Sequence, residues 1–319
     1  MVLKTLDFTA GVILPIFVMI FLGRIFRRFQ IIDDSFIDTA ARLVVNFGLP
    51  AILFLGTAYT DLELALDRQL ILYTVTMTMV SVCVLWLLAG RIVPSTLDRG
   101  VFVQGAFRGN LATIGLALVA NTYGQEGVSL ASLLMVFLVP LYNILSILVL
   151  AGALRGYDEG VSLRWDWLAR NLFGNPLIIA IVAGLVVNHL ALPLPSVLIR
   201  VGEYFSSVTL PLALLCIGGT LSFRVLREVS SLSLWAAVIK VLIFPGLMVT
   251  GAVWLGYRGT LLGVLFLLSA SPAAVASYVM ARNVGGNARL AASIVVLTTL
   301  MSMVTVSVGI FVLCFLRYL

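Results

Sequence analysis

The residues best suited to chemistry are polar ones set inside apolar runs. One such run reads Gly105-Ala106-Phe107-Arg108-Gly109-Asn110-Leu111-Ala112-Thr113-Ile114-Gly115. A second reads Leu268-Ser269-Ala270-Ser271-Pro272-Ala273-Ala274-Val275-Ala276-Ser277-Tyr278. Pro272 cannot donate to the carbonyl of Leu268, and its ring clashes there, so a helix through this stretch must break. Ser269 or Ser271 can then satisfy the freed backbone groups. Gly109 and Gly115 permit unwinding and close approach of another backbone. Half-helices starting near Leu111 and Ala273 would point their positive ends at the gap, a setting for an anion. Arg108 would add a planar fork matched to a carboxylate. The other reading starts the helix later and leaves Arg108 at the cytoplasmic mouth, snorkelling to lipid phosphate. Asn110 is either a ligand or a helix–helix hydrogen-bond partner. Arg108, Gly109, Asn110, Thr113, Asn143, Ser269, Ser271, Pro272 and Ser277 form the candidate substrate-binding set.

Other polar residues lie deep in apolar stretches. Asn143 follows Pro140 and Tyr142, and Thr298, Ser302 and Thr305 share one helical face by their spacing. These either line a cavity or serve as packing glue. Lys240 is either an interior cation or snorkels to the interface. Acidic residues (Asp7, Asp61, Glu63, Asp67, Glu126, Glu203) all fall near the ends of apolar runs, so no intramembrane carboxylate relay for protons is evident. Sodium could still bind through backbone carbonyls and Asn, Ser or Thr oxygens, which leaves the coupling ion open between sodium and the proton. Cys83, Cys216 and Cys314 lie apart inside apolar runs, and His189 is the single histidine. These offer neither a disulfide framework nor a metal site. No nucleophile–base constellation is present, so no catalytic residue, no cofactor and no enzyme activity are expected.

The elements that must position these residues follow from composition. The 319 residues are 61% hydrophobic and 11% charged, with a mean hydropathy of +1.15. Soluble domains carry roughly a quarter charged residues. Apolar runs of bilayer-spanning length recur along the whole chain. Ten spans are expected, at about 8–26, 36–58, 69–90, 101–121, 128–152, 171–190, 196–221, 232–255, 259–282 and 288–315. The first is too long for a signal-peptide core and reads as a retained helix. The net charge of +6 resides in short loops rather than in a basic patch, so nucleic acid is not an expected partner. With both termini outside the cytoplasm, the inward-facing segments collect most of the basic residues, among them Arg24, Arg27, Arg28, Arg91, Arg99, Arg155, Arg164, Arg170, Arg224, Arg227, Arg282 and Arg289. That asymmetry sets the orientation.

The two halves of the chain resemble each other. With Pro15 laid on Pro176, Gly23 falls on Gly184, Leu49-Pro50 on Leu210-Pro211, Asn110 on Ser271 and Gly124 on Gly285. Five spans per half make the second half enter from the opposite side, which is the inverted-repeat plan of many secondary transporters. The organisation is then a first repeat over 1–152, a cytoplasmic connector over 153–170 and a second repeat over 171–319.

Several stretches carry a family likeness: Pro15-Ile16-Phe17 through Gly23, Phe47-Gly48-Leu49-Pro50-Ala51, Phe107-Arg108-Gly109-Asn110 through Leu116, Pro140-Leu141-Tyr142-Asn143, Asn175-Pro176-Leu177, Leu210-Pro211-Leu212 and Ser271-Pro272 through Ala281. In this order and spacing the chain resembles the auxin efflux carrier family in its bacterial branch of malonate and malate transporter-like proteins. The resemblance implies ten helices in a five-plus-five inverted repeat with broken, crossing helices four and nine. It implies a transport bundle of helices 3–5 and 8–10 against a scaffold of helices 1, 2, 6 and 7, a homodimer in a bacterial inner membrane, and elevator-type movement of a small organic anion. It also departs from the family: Leu111 stands where plant relatives carry a proline, and their long cytoplasmic loop is missing. The alternatives are a sodium-coupled symporter of bile-acid type, or a membrane receptor that has lost transport.

Overall fold

The computed structural model describes residues 2–59, 67–154, 174–221 and 229–319. The expected connector lies almost wholly outside the described residues, as do Arg155, Arg164, Arg170, Arg224 and Arg227. Among the described residues the chain is all helical, apart from one isolated bridge described below. Its helices are α1 (Val2–Arg28), α2 (Asp34–Leu43), α3 (Leu49–Ala58), α4 (Arg68–Ile92), α5 (Thr96–Phe107), α6 (Leu116–Leu154), α7 (Pro176–His189), α8 (Ser196–Thr220), α9 (Ser231–Val238), α10 (Phe244–Trp254), α11 (Gly259–Ala270), α12 (Val275–Asn283) and α13 (Ala288–Phe315).

Helix lies in each of the ten apolar stretches expected from the sequence. Six helical runs are long and apolar enough to cross a bilayer: Asp34–Ala58, Arg68–Ile92, Leu111–Ala153, Ser196–Thr220, Ser231–Trp254 and Ala288–Phe315. Pro176–His189 and Gly259–Ala270 are shorter apolar helices. Large side chains such as Leu72, Leu87, Val197 and Trp254 are two-thirds or more exposed. Water would not tolerate so much uncovered apolar surface, whereas hydrocarbon does. The protein is a multi-pass membrane protein.

Polar caps mark where the helices begin. The Asp33 side chain accepts from the Phe36 amide at 2.7 Å, and Asn175 caps α7 with Pro176 in its first turn. Ser230 and Ser233 form a reciprocal capping box on α9, and Asn287 accepts from the Leu290 amide at 3.0 Å. Each cap supplies an acceptor to an amide that has none within its helix. Two wide π turns, Val44–Gly48 and Ile239–Ile243, run directly into α3 and α10, whose first turns hold Pro50 and Pro245. A proline offers no N–H to the turn behind it, and the wider turn absorbs the mismatch. Within α6, Gly124 adopts φ 56° and ψ −142°, a conformation open to glycine, and divides that helix.

The chain groups into two compact units. The first draws on Met1–Asp67, Ala112–Val136 and Ala169–Leu221. Here α1 packs along α8 and α3 along α7. The Thr57 hydroxyl reaches the Ile181 carbonyl at 3.3 Å, and the Asn188 amide donates to the Ala58 carbonyl at 3.0 Å. A Cβ on Gly218 would fall 1.8 Å from the Ile20 carbonyl oxygen, so α1 and α8 meet backbone to backbone. The second unit draws on Arg68–Leu111, Phe137–Leu168 and Ser222–Leu319. In it α9 and α12 pack on α13, α10 on α11, and α4 on α5. The Tyr73 hydroxyl donates to the Met248 carbonyl at 2.7 Å, and Asn287 to Asp98 at 2.7 Å.

Substituting Gly218→Ala is expected to force α1 and α8 apart and to destabilise the fold by about 1–3 kcal/mol, as overpacking does. A thermal melt of the purified protein in detergent reads this directly. Gly246→Ala is the control: nothing lies within 4 Å of a Cβ there, and its melting temperature should hold or rise slightly.

Candidate functional site

The site is built in the second unit, where two helices stop short. Helix α5 ends at Phe107, and Arg108 turns extended at φ −74° and ψ 102°. Helix α11 ends at Ala270; Ser271 and Ala274 are extended, and helix resumes at Val275. The second restart thus falls two residues beyond the Ala273 expected from the sequence, and the first opens on a π turn, Leu111–Gly115.

The two interruptions meet. Gly109 and Ala273 form an antiparallel bridge, flanked by Asn110 N–H to the Pro272 carbonyl at 2.8 Å and Ala274 N–H to the Arg108 carbonyl at 3.2 Å. Further partners complete the second break. The Ser271 hydroxyl donates to the Leu268 carbonyl at 2.7 Å, which is the group Pro272 deprives of a donor. The Ala273 N–H reaches Thr298 Oγ1 at 3.0 Å, and the Ser269 carbonyl accepts from Lys240 Nζ at 2.6 Å. Backbone groups that a break exposes in hydrocarbon cost several kcal/mol each when left unpaired. Here the partners named above pair seven of them, three carbonyls and two amides of the second break among them. Gly109 is required by this approach: a Cβ would lie 2.6 Å from Ser271 Oγ and 3.3 Å from Lys240 Nζ.

Arg108 is 8% exposed and faces protein. One arm of its guanidinium donates to Asn143 Oδ1 at 2.7 Å, and the other rests on the Met280 sulfur at 2.7 Å. Gln104, one turn earlier on α5, is wholly buried and touches the same sulfur at 3.7 Å through Nε2. Among the described residues its Oε1 has no partner, and neither do the buried hydroxyls of Ser146 and Ser277. Phe107 and Tyr142 pack edge to face at 5.6 Å beside Arg108. A thioether is a weak acceptor for a guanidinium, which has five donors and accepts nothing. One arm of this buried guanidinium is therefore left with only a weak acceptor. A carboxylate would satisfy it far better than the sulfur does.

The candidate residues divide accordingly. Arg108 joins Asn143 and Met280, Gly109, Asn110, Ser271 and Pro272 join the two breaks, and Ser277 lies one turn before Met280 on α12. Ser269 turns its hydroxyl back to the Phe266 carbonyl at 2.9 Å. Thr113 belongs to the other compact unit. Of the polar face on α13, Thr298 braces the break, whereas Ser302 and Thr305 bond back to their own helix. Gln104 and Ser146 were missed from the sequence. Their signal is spacing alone: Gln104 lies one turn from Arg108, and Ser146 one turn from Asn143. The first unit holds a separate, mainly apolar cavity of 310 Å³ beside Pro15, Met19, Asn121 and Pro211.

A many-spanning helical chain with its irregular backbone folded inward around buried cations has the build of a membrane transporter. The chain belongs to the membrane transport protein family, an auxin efflux carrier-like group whose model matches residues 8–159 and 163–310. It is 25% identical over 301 residues to a protein of Rhizobium meliloti named "Putative malonate transporter", covering 93% of each chain. It is 26% identical over 299 residues to an uncharacterized transporter of Methanothermobacter thermautotrophicus, covering 92% of this chain and 94% of that one. An uncharacterized transporter of Methanocaldococcus jannaschii is 20% identical over 308 residues, covering 93% and 96%. The family and these relatives are transporters, not enzymes.

The pairing of the breaks carries a stability prediction. Gly109→Ala should destabilise the protein, because the new methyl meets Ser271 Oγ. Adding Ser271→Ala should recover part of that loss, giving a coupling of about 1 kcal/mol in a double-mutant cycle of thermal melts. Strict additivity would show that the two backbones do not press together at these residues.

Proposed function

We propose that the protein is a secondary transporter of small carboxylates, with Arg108 as the substrate's principal counter-charge. The observation that carries this is the buried guanidinium with one arm held against a thioether, a weak acceptor. A bound carboxylate would displace the sulfur and take the hydrogens of the fork that Asn143 leaves free. Asn143 keeps the fork oriented meanwhile. The malonate assignment of the Rhizobium meliloti relative points to the same chemical class.

The transport cycle we infer is an elevator shift of an inverted-repeat carrier. Three observations support the repeat. The helices leading into the two breaks, α5 and α11, each have 12 residues. The matched glycines Gly124 and Gly285 both take positive φ, 56° and 79°. Pro15 and Pro176 also fall in corresponding helices, α1 and α7. In this reading the first unit, which holds helices one, two, six and seven of the ten, is the scaffold; residues 112–136 group with it as well. The second unit carries the substrate. The full assembly is then ten spans in a bacterial inner membrane, both termini outside the cytoplasm, working as a homodimer.

Uptake of radiolabelled malonate, malate and lactate into proteoliposomes tests the reading. Wild-type protein should accumulate at least one of them, and silence across a broad acid panel would sink the proposal. For the acid that is carried, Arg108→Gln should lower kcat/KM by about 30- to 150-fold, the loss of one charge-assisted contact of about 2–3 kcal/mol. Arg108→Lys should fall between the two, since a point charge cannot grip both carboxylate oxygens. Unchanged uptake by Arg108→Gln would remove the arginine from the site.

A further inference from the structure

Lys240 is a second buried cation in the same unit, and binding of a carboxylate at Arg108 makes no use of it. It sits in the π turn Ile239–Ile243 and is 0% exposed. Its Nζ donates to the Ser269 carbonyl at 2.6 Å and lies 5.2 Å from the centre of the Phe244 ring. Both neighbours favour a cation: one is a carbonyl at the end of a helix, the other the negative face of an aromatic ring. No carboxylate offsets the charge among the described residues. The elements packed on this turn are α5, α9, α10, α11 and α13. Their acidic side chains amount to Asp98, at the far end of α5, where it accepts from Asn287. Arg99 and Arg289 are the remaining charged residues on those helices, and Arg108 follows α5.

The position is telling. Ser269 is the next-to-last residue of α11, so its carbonyl belongs to the group that a helix leaves without internal donors. In carriers with interrupted helices, such carbonyls at half-helix C-termini are what hold a coupling sodium ion. Here the ammonium reaches one of them, the Ser269 carbonyl. The missing side chain at Gly109 leaves room for it, since a Cβ there would lie 3.3 Å from Nζ. We propose that Lys240 is a built-in cation occupying the place of a coupling sodium ion at the second break, so that the protein neither binds nor requires sodium. Its consequence for uptake rests on the transport reading above; the occupancy of the position does not.

Thermal melts of the purified full-length protein in NaCl and in choline chloride of equal ionic strength test the occupancy without any substrate. The wild-type melting temperature should be the same in both salts. Lys240→Ala should melt lower in choline, and sodium should raise it by about 3 °C or more by binding the vacated carbonyl position. Lys240→Met keeps the stem but not the charge, and should melt below wild type with no response to sodium. Sodium-specific stabilisation of the wild type overturns the proposal. So does a Lys240→Met variant as stable as wild type, or a Lys240→Ala variant that sodium does not rescue. These results stand whether or not any acid is transported, so a failed uptake assay and a failed cation assignment remain separate.

Discussion

Everything in the second unit depends on the antiparallel meeting of two interrupted helices. A helix satisfies its own backbone, which is why membranes are crossed by helices, and each break forfeits that advantage. The bridge between Gly109 and Ala273 restores it by letting each break serve the other. Asn110 donates to Pro272, and Ala274 donates to Arg108. Side chains complete the pairing: Ser271 covers the Leu268 carbonyl, Thr298 the Ala273 amide and Lys240 the Ser269 carbonyl. The result is irregular backbone buried in protein, with Arg108 at the turn where α5 ends.

That constraint explains why a costly residue is tolerated here. An arginine in a membrane segment survives where it faces protein or water and finds partners. The C-cap position aims Arg108 away from the run of α5, toward Asn143 and Met280. Its surroundings complete only one of these two contacts with a good acceptor. A structural arginine would be expected among carbonyls and carboxylates, as the five donors of a guanidinium demand. The imbalance at Arg108 matches a site completed by something brought from outside.

Much of this was legible because its causes are local. Pro272 stands among serines and small residues able to pair what a break exposes, and a dense cluster of glycine, arginine and asparagine cannot form a quiet lipid-facing span. Spans show in composition because hydrocarbon admits few polar groups. The wide turns ahead of Pro50 and Pro245 were not foreseen, since the choice between a kink and a wider turn depends on what packs around it. The direction of Arg108 was equally hidden. Its partners lie 35 and 172 residues away along the chain, and hydropathy carries no information about such pairs. Gln104 and Ser146 escaped notice because a single buried amide or hydroxyl is usually packing glue. Only the unpaired Gln104 Oε1 and Ser146 hydroxyl set them apart among the described residues.

Two buried cations serve one bridge in different ways, and their partners show the division. Lys240 is held by backbone that is already committed, a helix-end carbonyl and a ring, so it completes the resting structure. Arg108 is held by side chains able to give way, an amide and a flexible thioether. Met280 has the rotamer freedom to withdraw when a better acceptor arrives. A fixed cation at the break and an exchangeable contact beside it are what the proposed carboxylate site requires, because the sulfur can take back the arm that a departing anion leaves.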